Sequence, residues 1–329
     1  MEKKITVIGG SGFVGTNLCK QFSLNQQDFE IIDIKKSSQF PEKYKFGDVR
    51  DIESLRKTMT GDIIVNLAAV HRDDVRDTSQ YHHTNVGGAE NIVNVCSEKK
   101  INKIIFTSSV AVYGFARPNT NESGMINPFN EYGRTKFEAE EIFRLWNTKG
   151  NNSLIIIRPT VIFGEGNRGN VYNLFKQISS GKFLMLGKGN NKKSIAYIGN
   201  VVSFLESCIL TDQKYGIFNY IDTPNLTMNE LVLQVQNKLK GKRDVGLRLP
   251  YWVGLVLGYL SDALSKLSGK NLPLSSIRVK KFAASTEFSS SKALLNQFDP
   301  PYQLNEAIER TLQNEFITQD PNQEIFYTE

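Results

Sequence analysis

Short β-branched runs alternate along the first half of this chain with longer segments whose apolar residues recur every three or four positions. The runs over 4–8, 30–32, 63–67, 103–107 and 153–158 have the length and Val/Ile content of strands. Helical periodicity follows the first run, at Leu18, Phe22 and Leu24, and returns over 51–59, 84–98 and 131–146. Repeated strand–helix units with short connections predict an α/β fold built on a doubly wound parallel sheet. Ligands of such sheets sit at the carboxyl ends of the strands.

Past Arg158-Pro159 the rhythm changes to a glycine-rich loop over 164–169, helices over 171–178, 228–240, 251–267 and 303–316, and glycine-spaced turns around 182–185. This predicts a smaller C-terminal α/β substrate lobe over 166–194 and 224–316. A nucleotide domain is expected over 1–165 with a segment near 195–223 returning to it, and 317–329 reads as a frayed polar tail.

Gly9-Gly10-Ser11-Gly12-Phe13-Val14-Gly15 stands between the first strand and the first helix, the context a dinucleotide loop requires, which makes the domain Rossmann-type. Gly9 permits the tight turn, Gly12 lets a pyrophosphate approach the backbone, and Gly15 lets helix and strand pack closely. The spacing G-x-x-G-x-x-G points away from medium-chain dehydrogenases. The second strand ends in Asp33, whose carboxylate would accept from an adenosine ribose and repel a 2′-phosphate. NAD is therefore expected over NADP, although Lys35 and Lys36 could reach a phosphate.

Tyr132 and Lys136 lie four apart on the helix over 131–146, hence on one face. An ammonium beside the phenol favours its ionised form, making Tyr132 a usable acid/base near neutral pH. An amphipathic surface helix would carry the same two residues; the glycine loop upstream and the serines between set the pair apart.

Composition limits the alternatives. The chain has 329 residues, 22% charged and 40% hydrophobic, with a net charge of +6 and no dense basic cluster, so a nucleic-acid partner is not expected. Cys19, Cys96 and Cys208 match no metal spacing, and reduced thiols in a cytoplasmic protein are expected. Met1-Glu2-Lys3-Lys4 leads straight into the first strand, so no secretory leader is expected. The apolar stretch over 249–260 holds Pro and Gly and falls short of the roughly 20 residues a span needs; it reads as an amphipathic helix, with membrane-surface docking as the minor alternative.

Taken in order, the Gly9–Gly15 loop, Asp33, Gly47-Asp48-Val49-Arg50-Asp51, Asn66-Leu67-Ala68-Ala69, Thr84-Asn85-Val86, the run from Phe106 through Thr107, Ser108 and Ser109 to Gly114, the Tyr132/Lys136 pair and the run from Arg158-Pro159 to Gly164 resemble the extended short-chain dehydrogenase/reductase family, in its nucleotide-sugar branch of epimerases, dehydratases and ketoreductases. The resemblance implies a cofactor wall of Gly9, Ser11, Gly12, Phe13, Val14, Gly15, Asp33, Asp48, Val49, Leu67, Ala68, Ala69, Asn85, Thr107 and Pro159, with Lys136 also holding the nicotinamide ribose. It implies that Ser109 orients the reacting substrate oxygen toward Tyr132. On the substrate side it implies a diphosphate near Asn170, with His71, Lys193 and Arg278 as further contacts. It also implies a homodimer through the helices over 84–98 and 131–146. The chain departs from the epimerase pattern at Lys193, Ser194 and Asn200, where Arg, Asp and Asp are usual.

The branch's 4,6-dehydratases carry an Asp-Glu pair after the serine position, whereas Val110 and Ala111 stand here and cannot move protons. Hydride exchange at C4 of a nucleotide-linked hexose remains. The main expectation is a 4-keto-6-deoxy nucleotide-sugar reductase, and the alternative is a 4-epimerase of the UDP-GlcNAc or UDP-Glc type. A sterol dehydrogenase and a non-catalytic nucleotide-binding protein are the more distant readings. Calorimetric titration is expected to show tighter binding of NAD(H) than NADP(H), and Asp33→Ser to narrow the difference; an NADP(H) preference would mean that Lys35 or Lys36 outweighs the carboxylate.

Overall fold

The apolar runs become the middle of one parallel sheet in this computed structural model, which describes residues 3–72, 75, 77–268, 275–290 and 298–328. Its strands in chain order are β1 (Ile5–Ile8), β2 (Phe29–Asp33), β3 (Tyr44–Phe46), β4 (Ile63–Asn66), β5 (Lys103–Thr107) and β6 (Ser153–Pro159). Short strands β7 (Val161–Phe163), β8 (Met185–Leu186), β9 (Lys192–Lys193) and β10 (Ile195–Tyr197) follow, then β11 (Tyr215–Tyr220), β12 (Leu226–Thr227) and β13 (Arg248–Leu249). Seven of them form the sheet β11-β6-β5-β4-β1-β2-β3, parallel throughout. The strand order reverses between β1 and β4, opening a crevice at their carboxyl ends. The edge strands β3 and β11 lie outside the predicted set, since their residues lack the uninterrupted apolar run of a strand covered on both faces.

The helices are α1 (Phe13–Leu24), α2 (Ile52–Thr58), α3 (Ser79–Tyr81), α4 (Gly88–Lys99), α5 (Glu131–Asn147), α6 (Asn170–Ser179), α7 (Ile198–Leu210), α8 (Met228–Lys240), α9 (Tyr251–Ser268), α10 (Ser276–Ala283) and α11 (Leu304–Leu312). On one face of the sheet Leu18 and Phe22 of α1 join Phe204 and Leu205 of α7 against Val7 and Ile105. On the other, Leu55, Ile92, Val95 and Phe143 pack on Ile64, Ile104 and Phe106. Neighbouring strand residues serve opposite cores, as the two-residue period of a strand requires.

Three predicted elements need correction. The helix expected over 84–98 begins at Ser79, and its turns from His82 to Gly87 widen to π geometry, which spacing in the sequence does not reveal. The helix expected over 303–316 is regular only to Leu312 before a similar widened turn over Gln313–Thr318. The expected frayed tail is instead docked: the Phe326 amide donates to the Gly166 carbonyl at 2.9 Å, and its carbonyl accepts from the Arg168 amide at 2.8 Å. The physical reason is Phe326 itself, a buried aromatic ring within otherwise polar sequence.

A buried polar network ties the sheet to α5. Glu140 of α5 accepts from Arg158 Nε at 2.8 Å and Nη2 at 2.5 Å, and from Ser108 Oγ at 2.5 Å. Arg158 Nη1 reaches the Tyr113 hydroxyl at 2.7 Å, which donates to Asn219 Oδ1 of β11 at 2.8 Å. Glu140 is fully buried and Arg158 nearly so. Removing one partner strands a charge in the core, so Glu140→Leu and Arg158→Met are each expected to cost about 3–5 kcal/mol in urea denaturation, with the double variant recovering much of the loss. Additive losses would mean that the two side chains are not energetically coupled.

Candidate active site

The crevice begins where β1 ends. Gly9 turns the chain at φ +80°, and a Cβ there would fall 2.6 Å from the Ala68 amide nitrogen of the β4 loop, so no larger residue fits. Gly12 caps α1, whose first turn holds Phe13, Val14 and Gly15 and directs free amides at the crevice. Asp33, at the end of β2, accepts from the Ser11 amide at 3.0 Å and the Lys35 amide at 2.9 Å, so it fastens the glycine loop to the next strand. Burial raises its pKa above the ordinary carboxylate value against the pull of those amides. The hydroxyls of Ser11 and Thr107 are buried without hydrogen-bond partners, an arrangement a dinucleotide's polar groups would complete.

Farther along the crevice the predicted residues divide into lining and support. The Asp48 carboxylate is gripped by Arg50, with Nε at 2.9 Å and Nη2 at 2.6 Å, which holds it below its usual range. An adenine edge would therefore meet the Asp48 backbone and Val49 rather than a free carboxylate. Leu67, Ala68 and Ala69 lie half-buried at the end of β4. Asn85 is a clamp: its Oδ1 accepts from the Val70 amide at 2.9 Å while Nδ2 donates to the Val70 carbonyl at 3.1 Å and to Thr135 Oγ1 at 3.0 Å. His71 follows, its Nδ1 3.5 Å from the Ala69 carbonyl. Though His71 is exposed, desolvation by its neighbours, and then the charges of Lys136 and Arg72, lower its pKa. Asp73 and Asp74 lie outside the described residues. Pro159 closes β6 opposite Tyr220.

The two adjacent serines have separate tasks. Ser108 is buried and spent on Glu140. Ser109 is half-buried and caps the turn over Val110–Tyr113, accepting from the Ala111 amide at 3.1 Å. Asn130 caps α5 through the Gly133 amide at 2.9 Å, setting Tyr132 in the first helical turn and Lys136 one turn later on the same face. A Cβ at Gly133 would fall 2.4 Å from the Ala111 carbonyl, so the helix carrying Tyr132 lies directly on the turn carrying Ser109. Lys136 is buried, with Nζ 4.3 Å from the centre of the Phe106 ring. Burial depresses its pKa to about 7, against the attraction of Glu140.

The expected diphosphate contacts are less unified. Asn170 opens α6 at an exposed position. The Lys193 ammonium is committed to the carbonyls of Lys281 at 3.1 Å and Ala284 at 2.6 Å at the end of α10, and burial lowers its pKa to about 8. Arg278 lies exposed on α10, while Lys280 lines the neighbouring cavity. Asn200, where the family usually has Asp, donates to Asp222 at 3.0 Å and to the Tyr302 carbonyl at 2.8 Å; a carboxylate there would face another carboxylate. Ser194 accepts from the Phe288 amide at 2.9 Å and donates to Asn225 at 2.5 Å.

Sequence spacing alone left out Glu140, Ser108, Gly133 and Phe326. Glu140 had a usable signal, since it stands four residues past Lys136 on the same helical face. Phe326 had none, because its partners are remote in sequence: its ring centre lies 5.7 Å from that of Phe13, and Thr328 Oγ1 donates to Asn167 Oδ1 at 2.6 Å.

A parallel sheet with a glycine loop at its switch point and a Ser/Tyr/Lys group beside it defines a dinucleotide-dependent enzyme acting on a substrate hydroxyl or carbonyl. The chain belongs to the NAD dependent epimerase/dehydratase family, which it matches over residues 5–219. It is 46% identical over 321 residues, 96% of each chain, to the N-acetyl-alpha-D-glucosaminyl-diphospho-ditrans,octacis-undecaprenol 4-epimerase of Escherichia coli O157:H7. It is 27% identical over 332 residues, 95% of each chain, to the UDP-glucose 4-epimerase of Vibrio cholerae. The solved UDP-N-acetylglucosamine 4-epimerase from Bacillus cereus has the same fold, with a TM-score of 0.74 at 20% identity, covering 94% of this chain and 98% of that one.

Lys136 has a thermodynamic consequence. Its folded pKa of about 7 lies below the ordinary lysine value of 10.5, so the folded state binds fewer protons across that window and stability rises with pH through it. Below about pH 7 the full penalty remains, on the order of a few kcal/mol. Lys136→Met is therefore expected to raise the melting temperature of the cofactor-free protein, more at pH 6 than at pH 9, while abolishing turnover. An equal gain at both pH values would remove burial of the ammonium as the cause.

Proposed function

We propose that this enzyme inverts the configuration at C4 of an N-acetylhexosamine held on a diphosphate, and that the carrier is a polyprenol. The observation that carries the reading is near end-to-end similarity, at 46% identity, to a protein named for that reaction. The main reading drawn from the sequence, a 4-keto-6-deoxy reductase, gives way to its epimerase alternative, because the relatives matched along the whole chain include 4-epimerases of two sugar substrates. The departures from the epimerase pattern at Lys193 and Asn200 have local structural partners, the Ala284 carbonyl and Asp222.

Bound NAD would supply a reversible two-electron acceptor. Tyr132 takes the proton of the C4 hydroxyl as the hydride leaves that carbon, and Ser109 holds the oxygen that becomes the ketone. After the 4-keto sugar turns its other face, Tyr132 gives the proton back to the C4 oxygen as that carbon is reduced again. Lys136, one helical turn away, favours the ionised phenol. No electrons are gained or lost over the cycle. Val110 and Ala111 offer no acid or base for elimination, so the ketone is not diverted to dehydration.

Purified protein supplied with NAD is expected to convert the N-acetylglucosamine of a detergent-dispersed undecaprenyl diphosphate into N-acetylgalactosamine, read by chromatography of the released sugars, without net NADH formation. Tyr132→Phe should slow this by about 10² or more, since a positioned acid/base typically contributes 10²–10⁴-fold. Turnover confined to UDP-sugars would reject the lipid carrier, and stoichiometric NADH oxidation with 4-keto-6-deoxy sugars would restore the reductase.

A further inference from the structure

Helix α9 is built inside out. Its buried residues are Gly254, Gly258 and Ser261, and a Cβ at Gly258 would come within 2.8 Å of the Ser276 Cα, so the helix lies with its backbone against the start of α10. Its large apolar residues face outward: Trp252, Val256, Tyr259, Leu260, Leu264 and Leu267 recur at helical spacing and are all exposed, Trp252 at 69% and Leu267 at 85%. A helix serving only a soluble core presents the opposite arrangement. No helix among the described residues is long and apolar enough to cross a membrane, and 18 residues of helix reach about 27 Å.

Charge marks the same surface. Over the described residues of α9 and α10 the sequence places Lys266, Arg278, Lys280 and Lys281 against one carboxylate, Asp262, which accepts from the Ser276 amide at 3.2 Å. Lys280 Nζ stands 5.4 Å from the centre of the Tyr259 ring, so cation and apolar stripe meet. At this end lies a cavity of about 620 Å³ lined by Phe115, Leu186, Lys188, Tyr251, Lys280 and Ala283. Phe115, just past the turn over Val110–Tyr113, lines this cavity and lies tilted at 4.7 Å from Phe129, which precedes Tyr132 on the chain, with Lys281 Nζ 5.1 Å from the Phe129 ring. The cavity thus runs from Phe115, beyond the Ser109 turn, to Tyr251 at the N-terminal end of α9.

Building on the lipid-linked substrate above, we propose that α9 and the cations of α10 seat the enzyme on an anionic bilayer, with the cavity opening to the headgroup layer so that the diphosphate-linked sugar enters while its prenyl chain stays in the membrane. An amphipathic helix with aromatic and leucine side chains on one face and lysines flanking it binds the interface in this way. A two-fold copy fits less well, because an isologous contact would set these cations against themselves. A phospholipid surface supplies both the apolar layer and the counter-charge.

The test uses the full chain and vesicles of phosphatidylcholine with or without phosphatidylglycerol. Trp252 is exposed and Trp146 buried, so a blue shift of emission on binding reports Trp252. Sedimentation with anionic vesicles and a blue shift are expected, and Trp252→Glu/Leu264→Glu should weaken partitioning about tenfold or more while leaving turnover of a water-soluble short-prenyl diphosphate sugar unchanged. Absence of vesicle binding by a protein that epimerises the detergent-dispersed lipid would overturn the docking surface and leave the proposed reaction intact. Vesicle binding by a protein that turns over only UDP-sugars would support the surface and reject the lipid substrate. If the double glutamate variant instead dissociates a dimer and vesicles never bind, the face belongs to a second copy.

Discussion

The carboxylate of Glu140 and the guanidinium of Arg158 meet in the dry centre of the molecule, and the site hangs from that meeting. Through Ser108 the pair holds the end of β5, and through Tyr113 and Asn219 it holds the serine turn and β11, while Glu140 belongs to the helix that carries Tyr132 and Lys136. A paired charge in low dielectric tolerates little displacement, because separating the partners exposes each to its full desolvation cost. The turn carrying Ser109 and the helix carrying Tyr132 are therefore held in fixed relative positions, the pre-organisation that the proposed proton transfer needs.

Lys136 places a second cost at the same point. The sheet could pack a methionine there more cheaply, yet the ammonium stays buried beside Phe106 with its proton loosely held. Active sites often retain such unfavourable groups because the reaction needs them and the rest of the fold absorbs the loss. Here the absorbing structure is the sheet, whose two cores cover β1, β4, β5 and β6 from both sides.

What the sequence revealed follows the range of the forces involved. Gly9 to Gly15, Asp33, Ser109, Tyr132 and Lys136 stood out as candidates because the features that single them out are local: a turn after a strand, a carboxylate at a strand end, two residues on one helical face. The setting of Lys193 was hidden, since a cation in a sequence does not show which carbonyls it will meet, and Lys193 met those of Lys281 and Ala284. The π turns around Asn85 were invisible because a widened turn changes hydrogen-bond partners without changing apolar spacing. The outward stripe of α9 was legible as apolar residues, but not as exposed ones: burial of Gly254 and Gly258 is a tertiary fact. The proposed sugar carrier lay beyond residue chemistry and rests on similarity to a relative named for it.

The docked segment around Phe326 changes how the nucleotide crevice comes into being. Phe13 sits in the first helical turn after the glycine loop, and its aromatic neighbour arrives from the opposite extreme of the described chain. Contacts between residues so distant in sequence pay the largest loop-closure entropy and form late in folding. One wall of the oldest motif in the chain order is thus finished by its latest residues. The Arg168 amide, held by the Phe326 carbonyl rather than by a sheet partner, is accordingly expected to exchange its hydrogen through a local opening before the core amides of β5 do.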